Sequence, residues 1–136
     1  MTKDEFLARV AKAAALASSA DAEARSQVVL KALTHLVADA ASRRHFISQL
    51  PGFLKAELLA EVPASQLMNR AAFIRHIGAG LDVHAGEAEE ALRAVYGVLT
   101  EAISAGEIRD FERQIPPEIA TVLGKLHTES RRAEGG

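Results

Sequence analysis

The chain has no cysteine and no tryptophan, and aromatic residues make up only 4% of its 136 residues. The lack of cysteine excludes disulfides, thiolate metal sites and cysteine nucleophiles. With so few aromatic residues, Leu, Val, Ile and Ala have to fill the core. Abundant alanine favours helices and lets neighbouring helices approach closely, so the composition indicates a helical protein.

A strong charge of one sign and a long apolar run are also missing. The formal net charge is −2 and the pI is about 6.2, so nothing draws the chain as a whole to nucleic acid or to an anionic membrane. No stretch has the length and apolarity needed to span a bilayer. The start of the chain is unlike a signal peptide, because Asp4 and Glu5 make it acidic and Arg9 and Lys12 interrupt its apolar residues. We therefore expect an amphipathic first helix, no membrane association and a cytoplasmic location.

Three short segments recur in the same order in the two halves of the chain. The pairs are DEFLARV at 4–10 with AAFIRHI at 71–77, VLKALT at 29–34 with VYGVLT at 95–100, and FISQLP at 46–51 with FERQIP at 111–116. Their separations fall from 67 to 66 to 65 residues. A loss of one residue at each connection is expected for duplicated units that differ in their loops.

The sequence thus predicts one all-α domain over residues 1–136, built from two tandem, similar units of three to four helices packed into one bundle. The first unit covers 2–62, the second covers 69–128, and a polar tail at 129–136 is expected to fray. One unit of about 60 residues would be marginally stable alone, so the two are expected to share a core.

Helix starts are predicted where a small polar residue precedes an apolar run. Thr2 with Glu5 and Ser104 with Glu107 have the form of capping boxes, and Asp39 is an acidic cap. The second helix is expected to run from about residue 22 to 38, and the last from 116 to about 128.

Helix ends are predicted from proline and glycine. In the phrase Phe-x-x-Gln-apolar-Pro, proline ends the third helix and begins the next, and Gln49 and Gln114 are expected to bond free carbonyls there. Pro63 is expected to end the fourth helix. Gly80, in GAGLD at 78–82, is expected to end the following helix in a left-handed conformation. That short segment also falls short of the glycine-rich nucleotide-binding motifs.

Together, these segments resemble a bacterial family known as domain of unknown function 2267, over about residues 2–126. The residues that carry the resemblance are EFLARV, VVLKAL and FISQLP, followed in order by AFIRHI, AVYGVL and FERQIP. The resemblance implies a compact all-α protein of duplicated units, and it implies no activity, catalytic residue or cofactor. One departure is ASRRHF at 41–46, where such sequences more often begin the helix with an acidic capping box.

The histidines are the first candidates for metal or proton chemistry: His35, His45, His76, His84 and His127. Neither Glu-x-x-His nor His-Glu-x-x-His occurs. The nearest constellation is His84, Glu87 and Glu90, whose spacing could place three ligands on one helix face. Acidic residues in the first turn of a helix are expected from the helix dipole alone, and we favour that interpretation. His35 and His76 are interpreted as boundary residues of the core.

Two basic clusters are candidates for nucleic-acid binding. One is RRH at 43–45 with Arg109 and Arg113 at the equivalent sites of the second unit, and the other is Arg70 with Arg75 and His76. Acidic residues interrupt the first cluster, so a solvated face of mixed charge is favoured over a recognition surface. Ser48 and Ser104 are interpreted as surface and capping residues, because a serine nucleophile would need a histidine base beside it.

The sequence therefore predicts no catalytic residue, no metal site and no cofactor. Its main functional hypothesis is a non-enzymatic module that binds another protein or a second copy of itself. The alternatives are a small-ligand-binding protein or enzyme with a pocket between the two units and, less favoured, a nucleic-acid-binding protein.

Overall fold

The computed structural model describes the backbone of residues 1–135 and the side chains of residues 1–126. Within that part of the chain there are eight α-helices and no strand, which confirms the all-α prediction. The helices are α1 (Lys3–Ala13), α2 (Ser19–His35), α3 (Ala40–Ser48), α4 (Gly52–Ala60), α5 (Arg70–Leu81), α6 (Ala85–Ala102), α7 (Ala105–Arg113) and α8 (Pro117–Gly135).

The first three helices of each half begin at a side-chain cap. The caps are Thr2, Ser18 and Asp39 in the first half and Asn69, His84 and Ser104 in the second. Each accepts a hydrogen bond from the amide three residues later, which satisfies one of the amides left free at a helix start. Matching caps lie 67, 66 and 65 residues apart, as the repeated segments do. The capping roles of Thr2, Asp39 and Ser104 are confirmed. The duplication itself stays a prediction, which this agreement favours.

The first helices of the two halves also end alike. Ala15 after α1 and Asp82 after α5 have φ of 53° and 56°, in the left-handed region. In both places the next amide donates to a carbonyl five residues back, at 2.8 Å and 2.9 Å respectively. These bonds satisfy carbonyls that a helix end leaves free.

The prediction that Gly80 ends α5 in a left-handed conformation is wrong, since Asp82 takes that role. Gly80 lies inside α5, where an added Cβ would come within 2.8 Å of Cγ1 of Val28 on α2. At Gly78 an added Cβ would come within 2.9 Å of the carbonyl oxygen of Val83. The glycines of this segment therefore serve close packing, which a search for helix ends does not reveal.

Two helix boundaries differ from the predicted ones. Helix α2 covers Ser19–His35 rather than 22–38, because Ser18 caps it early and the chain turns after His35. Helix α8 continues to Gly135, past the predicted end near residue 128, since the Glu, Arg and Ala residues there are good helix formers. Fraying of 129–136 stays a prediction, and Gly136 and the side chains from His127 onward lie outside the described part of the chain.

The two Phe-x-x-Gln-apolar-Pro corners meet each other. In both, one helix ends and the next begins at the proline, as predicted. The rings of Phe46 and Phe111 are stacked with centroids 4.3 Å apart and planes 19° apart. Gln114 donates to the carbonyl of Asp110 at 3.1 Å, as expected, whereas Gln49 donates instead to the hydroxyl of the preceding serine.

Buried residues of both halves form a single apolar cluster. Helix α2 packs on α5, and α1 packs on α6, so the first helix of each half contacts the second helix of the other. Two of these cross-contacts fall at aligned positions. His76 of α5 touches His35 of α2, and Arg9 of α1, aligned with His76, forms an ion pair with Glu101 of α6, aligned with His35. The halves thus contact each other through matching surfaces.

Candidate functional site

A groove of about 580 Å³ lies between α2, α4 and the connector, residues 61–69, which joins the two halves. We call it the α2–α4 groove. It is lined from α2 by Gln27, Val28, Leu30, Lys31 and His35, and from α4 and the connector by Leu54, Glu57, Leu58, Glu61, Val62, Pro63 and Ala64. On both helices the lining residues recur every three or four positions, so each wall is one helix face. The α2 wall extends from residue 27 to 35, about 12 Å at 1.5 Å per residue.

The groove has an apolar floor and a charged rim. Leu30, Leu54 and Leu58 are buried. Three charged residues are exposed at the rim: Lys31 on α2, Glu57 on α4 and Glu61 at the start of the connector. Among the side chains of residues 1–126, none of these three charged groups takes part in an ion pair. The rim therefore presents one cation and two anions that stay available to a bound molecule.

His35 fastens the connector to the end of α2. Its side chain is only 7% exposed, and Nδ1 is hydrogen-bonded to the carbonyl oxygen of Ala64. Since a carbonyl only accepts, Nδ1 carries the hydrogen of this bond. The amide of Gln66 donates to the carbonyl of His35 at 2.7 Å. These bonds fix the connector at the C-terminal end of α2.

His76 packs edge-on against His35, with ring centroids 5.3 Å apart and planes 86° apart. Burial lowers the pKa of His76 below its ordinary value of 6.5, and the neighbouring His35 and Lys31 lower it further. His76 is therefore neutral at pH 7. The sequence identified these two histidines only as boundary residues, and the structure brings them together behind the groove.

The candidate metal ligands at the start of α6 have a capping role. Nδ1 of His84 accepts from the amide of Glu87 at 3.3 Å, and its Nε2 lies 3.1 Å from Oε1 of the same residue. Glu90 takes no part in these contacts. Within the described residues, no group of three His, Cys, Asp or Glu side chains is arranged to hold a metal ion.

Most basic side chains of the first cluster bond acidic side chains or backbone carbonyls. Arg43 donates to the two carbonyls at 37 and 38, at 2.9 Å and 2.8 Å. His45 lies 3.0 Å from Glu107, and Arg113 lies 3.6 Å from Asp110. In the second cluster, the guanidinium of Arg70 lies 3.7 Å from Glu89. Three of the five basic side chains of the first cluster and one of the three in the second are thus bonded to acidic side chains or carbonyls.

The serines considered as nucleophiles bond the backbone. Ser48 donates its hydroxyl proton to the carbonyl of His45 at 2.6 Å. Ser104 accepts from the amide of Glu107 at 3.2 Å. Neither contact joins a serine hydroxyl to an imidazole nitrogen, as general-base activation requires.

A second, shallower depression of about 500 Å³ lies where the connector meets the start of α8. Its apolar lining includes Leu36, Met68, Ile115 and Pro116. Leu67, which is 79% exposed, also lines it. Residues of both halves and of the connector line this depression, so it lies between the two halves. The α2–α4 groove, by contrast, lies within the first half and the connector.

Sequence reasoning missed the groove, although its repeat contained a signal. The charged rim residues align with small or apolar residues of the second half. The aligned pairs are Lys31 with Gly97, Glu57 with Val122, and Glu61 with Leu126. At these aligned positions the first half has charged residues and the second half has small or apolar ones. This difference indicates that the two surfaces have different contacts.

The fold and the groove define an all-α bundle with an open cleft between two of its helices. No curated protein matches the chain as a relative. The family model described as "uncharacterized conserved protein", domain of unknown function 2267, matches residues 3–122, and the chain belongs to that family. In the described residues, no helix combines the length and apolarity required to cross a membrane.

Proposed function

We propose that the protein is a non-enzymatic, cytoplasmic interaction module, and that its α2–α4 groove binds a segment of a partner protein. The observation that carries this proposal is that the groove is open in the first half, while most of the aligned surface of the second half is covered. The longer helix α8 packs against α6 over more residues than α4 packs against α2. On the second half, Gly97 and Leu123 are buried and Leu126 is 9% exposed.

The opening follows from the residues at its rim. Lys31 is a long, exposed charged residue where the second half has a buried glycine. Glu57 and Glu61 carry charges that would have to be desolvated if α4 moved onto α2. The same charges surround an apolar floor, which is the usual arrangement of a protein-binding groove with an apolar centre and a polar rim.

The experiment compares three tagged forms of the protein purified from cells that produce it. They are the wild type, a closed-groove variant with Glu57→Val and Glu61→Leu, and a control with Glu90→Leu on the exposed face of α6. A partner of the groove is expected to co-purify with the wild type and the control and to be lost from the closed-groove variant. Equal recovery of every bound protein by all three forms would contradict the proposal.

A small amphiphilic ligand is the second candidate, and the size of the groove favours it. A volume of about 580 Å³ lies within the range of small-molecule sites. Native mass spectrometry of the purified protein separates the two candidates. A retained mass of a few hundred daltons that the closed-groove variant loses would favour the ligand, whereas light scattering would reveal a second copy of the chain as the partner.

A further inference from the structure

We infer that the occupant of the α2–α4 groove is a short amphipathic α-helix of a partner protein, with basic residues on the flank that faces α4 and an acidic residue on the flank that faces α2. This inference rests on the proposed function and specifies its partner. It follows from the walls of the groove, their charges and the position of the connector.

The walls select a helix over other peptide conformations. An extended peptide that adds a strand needs an exposed sheet edge, and both walls are helices whose backbone groups bond within the helix. A polyproline segment needs an aromatic-lined groove, and none of the described lining residues is Phe, Tyr or Trp. A helix bonds its own backbone groups and needs only an apolar floor, which Leu30, Leu54 and Leu58 provide.

The rim charges define the two flanks of the bound helix. Glu57 lies in the last turn of α4 and Glu61 directly follows that helix, where its amide donates to the carbonyl of Glu57, so both carboxylates lie at the same end of the α4 wall. Two basic residues three or four positions apart on the occupant would meet both carboxylates. Lys31 on the opposite wall favours an acidic residue on the other flank. Complementary charges of this kind increase the rate of association and exclude wrong partners.

The connector limits the length of the helix that fits. Its residues 62–64 line the groove, and the contact of His35 with Ala64 holds them at the C-terminal end of α2. The α2 wall of about 12 Å then accommodates roughly two helical turns. The inferred occupant therefore has an apolar stripe at positions i, i+3 or i+4, and i+7, with the two basic residues beside it.

The test is a selection from two peptide display libraries on immobilised full-length protein. One library consists of 14-residue helix-forming peptides with varied stripe and flank positions, and the other of random linear 14-residue peptides. The inference predicts enrichment of helical peptides with basic residues three or four positions apart on one flank, and no such enrichment on the closed-groove variant. The absence of enrichment, or enrichment of proline-rich or alternating sequences, would overturn it.

The selected peptide then tests the charges directly by fluorescence anisotropy. The variant Glu57→Lys, Glu61→Lys is expected to bind it at least tenfold more weakly than the wild type, and Glu90→Lys equally well. Circular dichroism verifies that both variants are folded, which is expected because all three glutamates are exposed. Equal affinity for the two variants would overturn the assignment of the basic flank to α4. A groove-dependent partner that co-purifies but contains no such helix would refute this inference alone, whereas the lack of any groove-dependent partner would refute the proposed function.

Discussion

Helices α4 and α8 begin 65 residues apart, after the same proline corner, yet they pack differently on the helices before them. Helix α4 has 9 residues and leaves a groove beside α2, whereas α8 has 19 residues and packs along α6. Caps, corners and the contacts between the halves match, while the surface between the second and fourth helices does not. Features that maintain the fold are thus similar in the two halves, and the surface at which the second and fourth helices differ is the candidate binding site.

A second difference lies in the core, where Tyr96 stands at the position aligned with Leu30. The Tyr96 hydroxyl is fully buried and has no partner with hydrogen-bond geometry within the described residues. Burial raises the pKa of this hydroxyl, and the nearby Glu112 raises it further. Tyr96 is therefore protonated at any physiological pH.

The largest effect is expected at the pair of phenylalanines on which the two corners meet. Phe46→Ala and Phe111→Ala should each lower the free energy of unfolding by about 3–5 kcal/mol, because each removes a buried ring. The double variant should lose less than the sum, since the rings contact each other. Urea unfolding measures all three, with Leu59→Ala, at an exposed position, as the control. Additive losses would show that the corners are independent.

Reciprocal substitutions at the aligned positions 31 and 97 should lower the stability of the protein by different amounts. Gly97→Lys places a charge at a buried position and should destabilise the protein by about 3 kcal/mol. Lys31→Gly introduces a glycine on an exposed helix face and should cost about 1 kcal/mol. Thermal unfolding followed by circular dichroism compares them. Equal losses would mean that the surfaces beside α2 and α6 do not differ as described.

A smaller effect is expected at the two left-handed residues. Ala15→Gly should stabilise the protein by about 1 kcal/mol, because a Cβ is unfavourable at positive φ. Asp82→Gly should gain only a few tenths of a kcal/mol, since aspartate tolerates that conformation better than alanine. The midpoints of urea unfolding measure both changes. A loss of stability in Ala15→Gly would contradict the matching helix ends.

The smallest effect is expected at His76, whose contact with His35 should make the stability of the protein depend on pH. The lowered pKa of His76 means that, as pH falls below its ordinary value of 6.5, the unfolded chain binds a proton that the folded protein resists. Stability linked to His76 is therefore complete above pH 6.5 and decreases as the pH drops toward the lowered pKa. His76→Gln should lose less stability between pH 7.5 and 5.5 than the wild type in urea unfolding. An identical pH dependence would show that His76 titrates alike in both states.

Local spacing was enough to predict the helices, three of the caps and the proline corners, because each depends on residues within a few positions of one another. Gly80 was misassigned since glycine serves both helix ends and close packing, and only the position of Val28 distinguishes the two. The contact of His35 with Ala64 joins residues 29 positions apart, so no local pattern reveals it. The groove depends on how far α4 stands from α2, which is decided by long-range packing.

We expect the first half to bind a partner through the α2–α4 groove, whereas α8 covers most of the aligned surface of the second half. Gln27 in the groove aligns with Arg93, which is exposed on α6, so a photo-crosslinking amino acid at each position compares two accessible sites in cells that produce the protein. A defined adduct is expected from position 27, with its loss when Glu57→Val and Glu61→Leu are added, and none is expected from position 93. Adducts of equal yield from both positions, or an adduct that persists in the closed-groove background, would contradict this expectation.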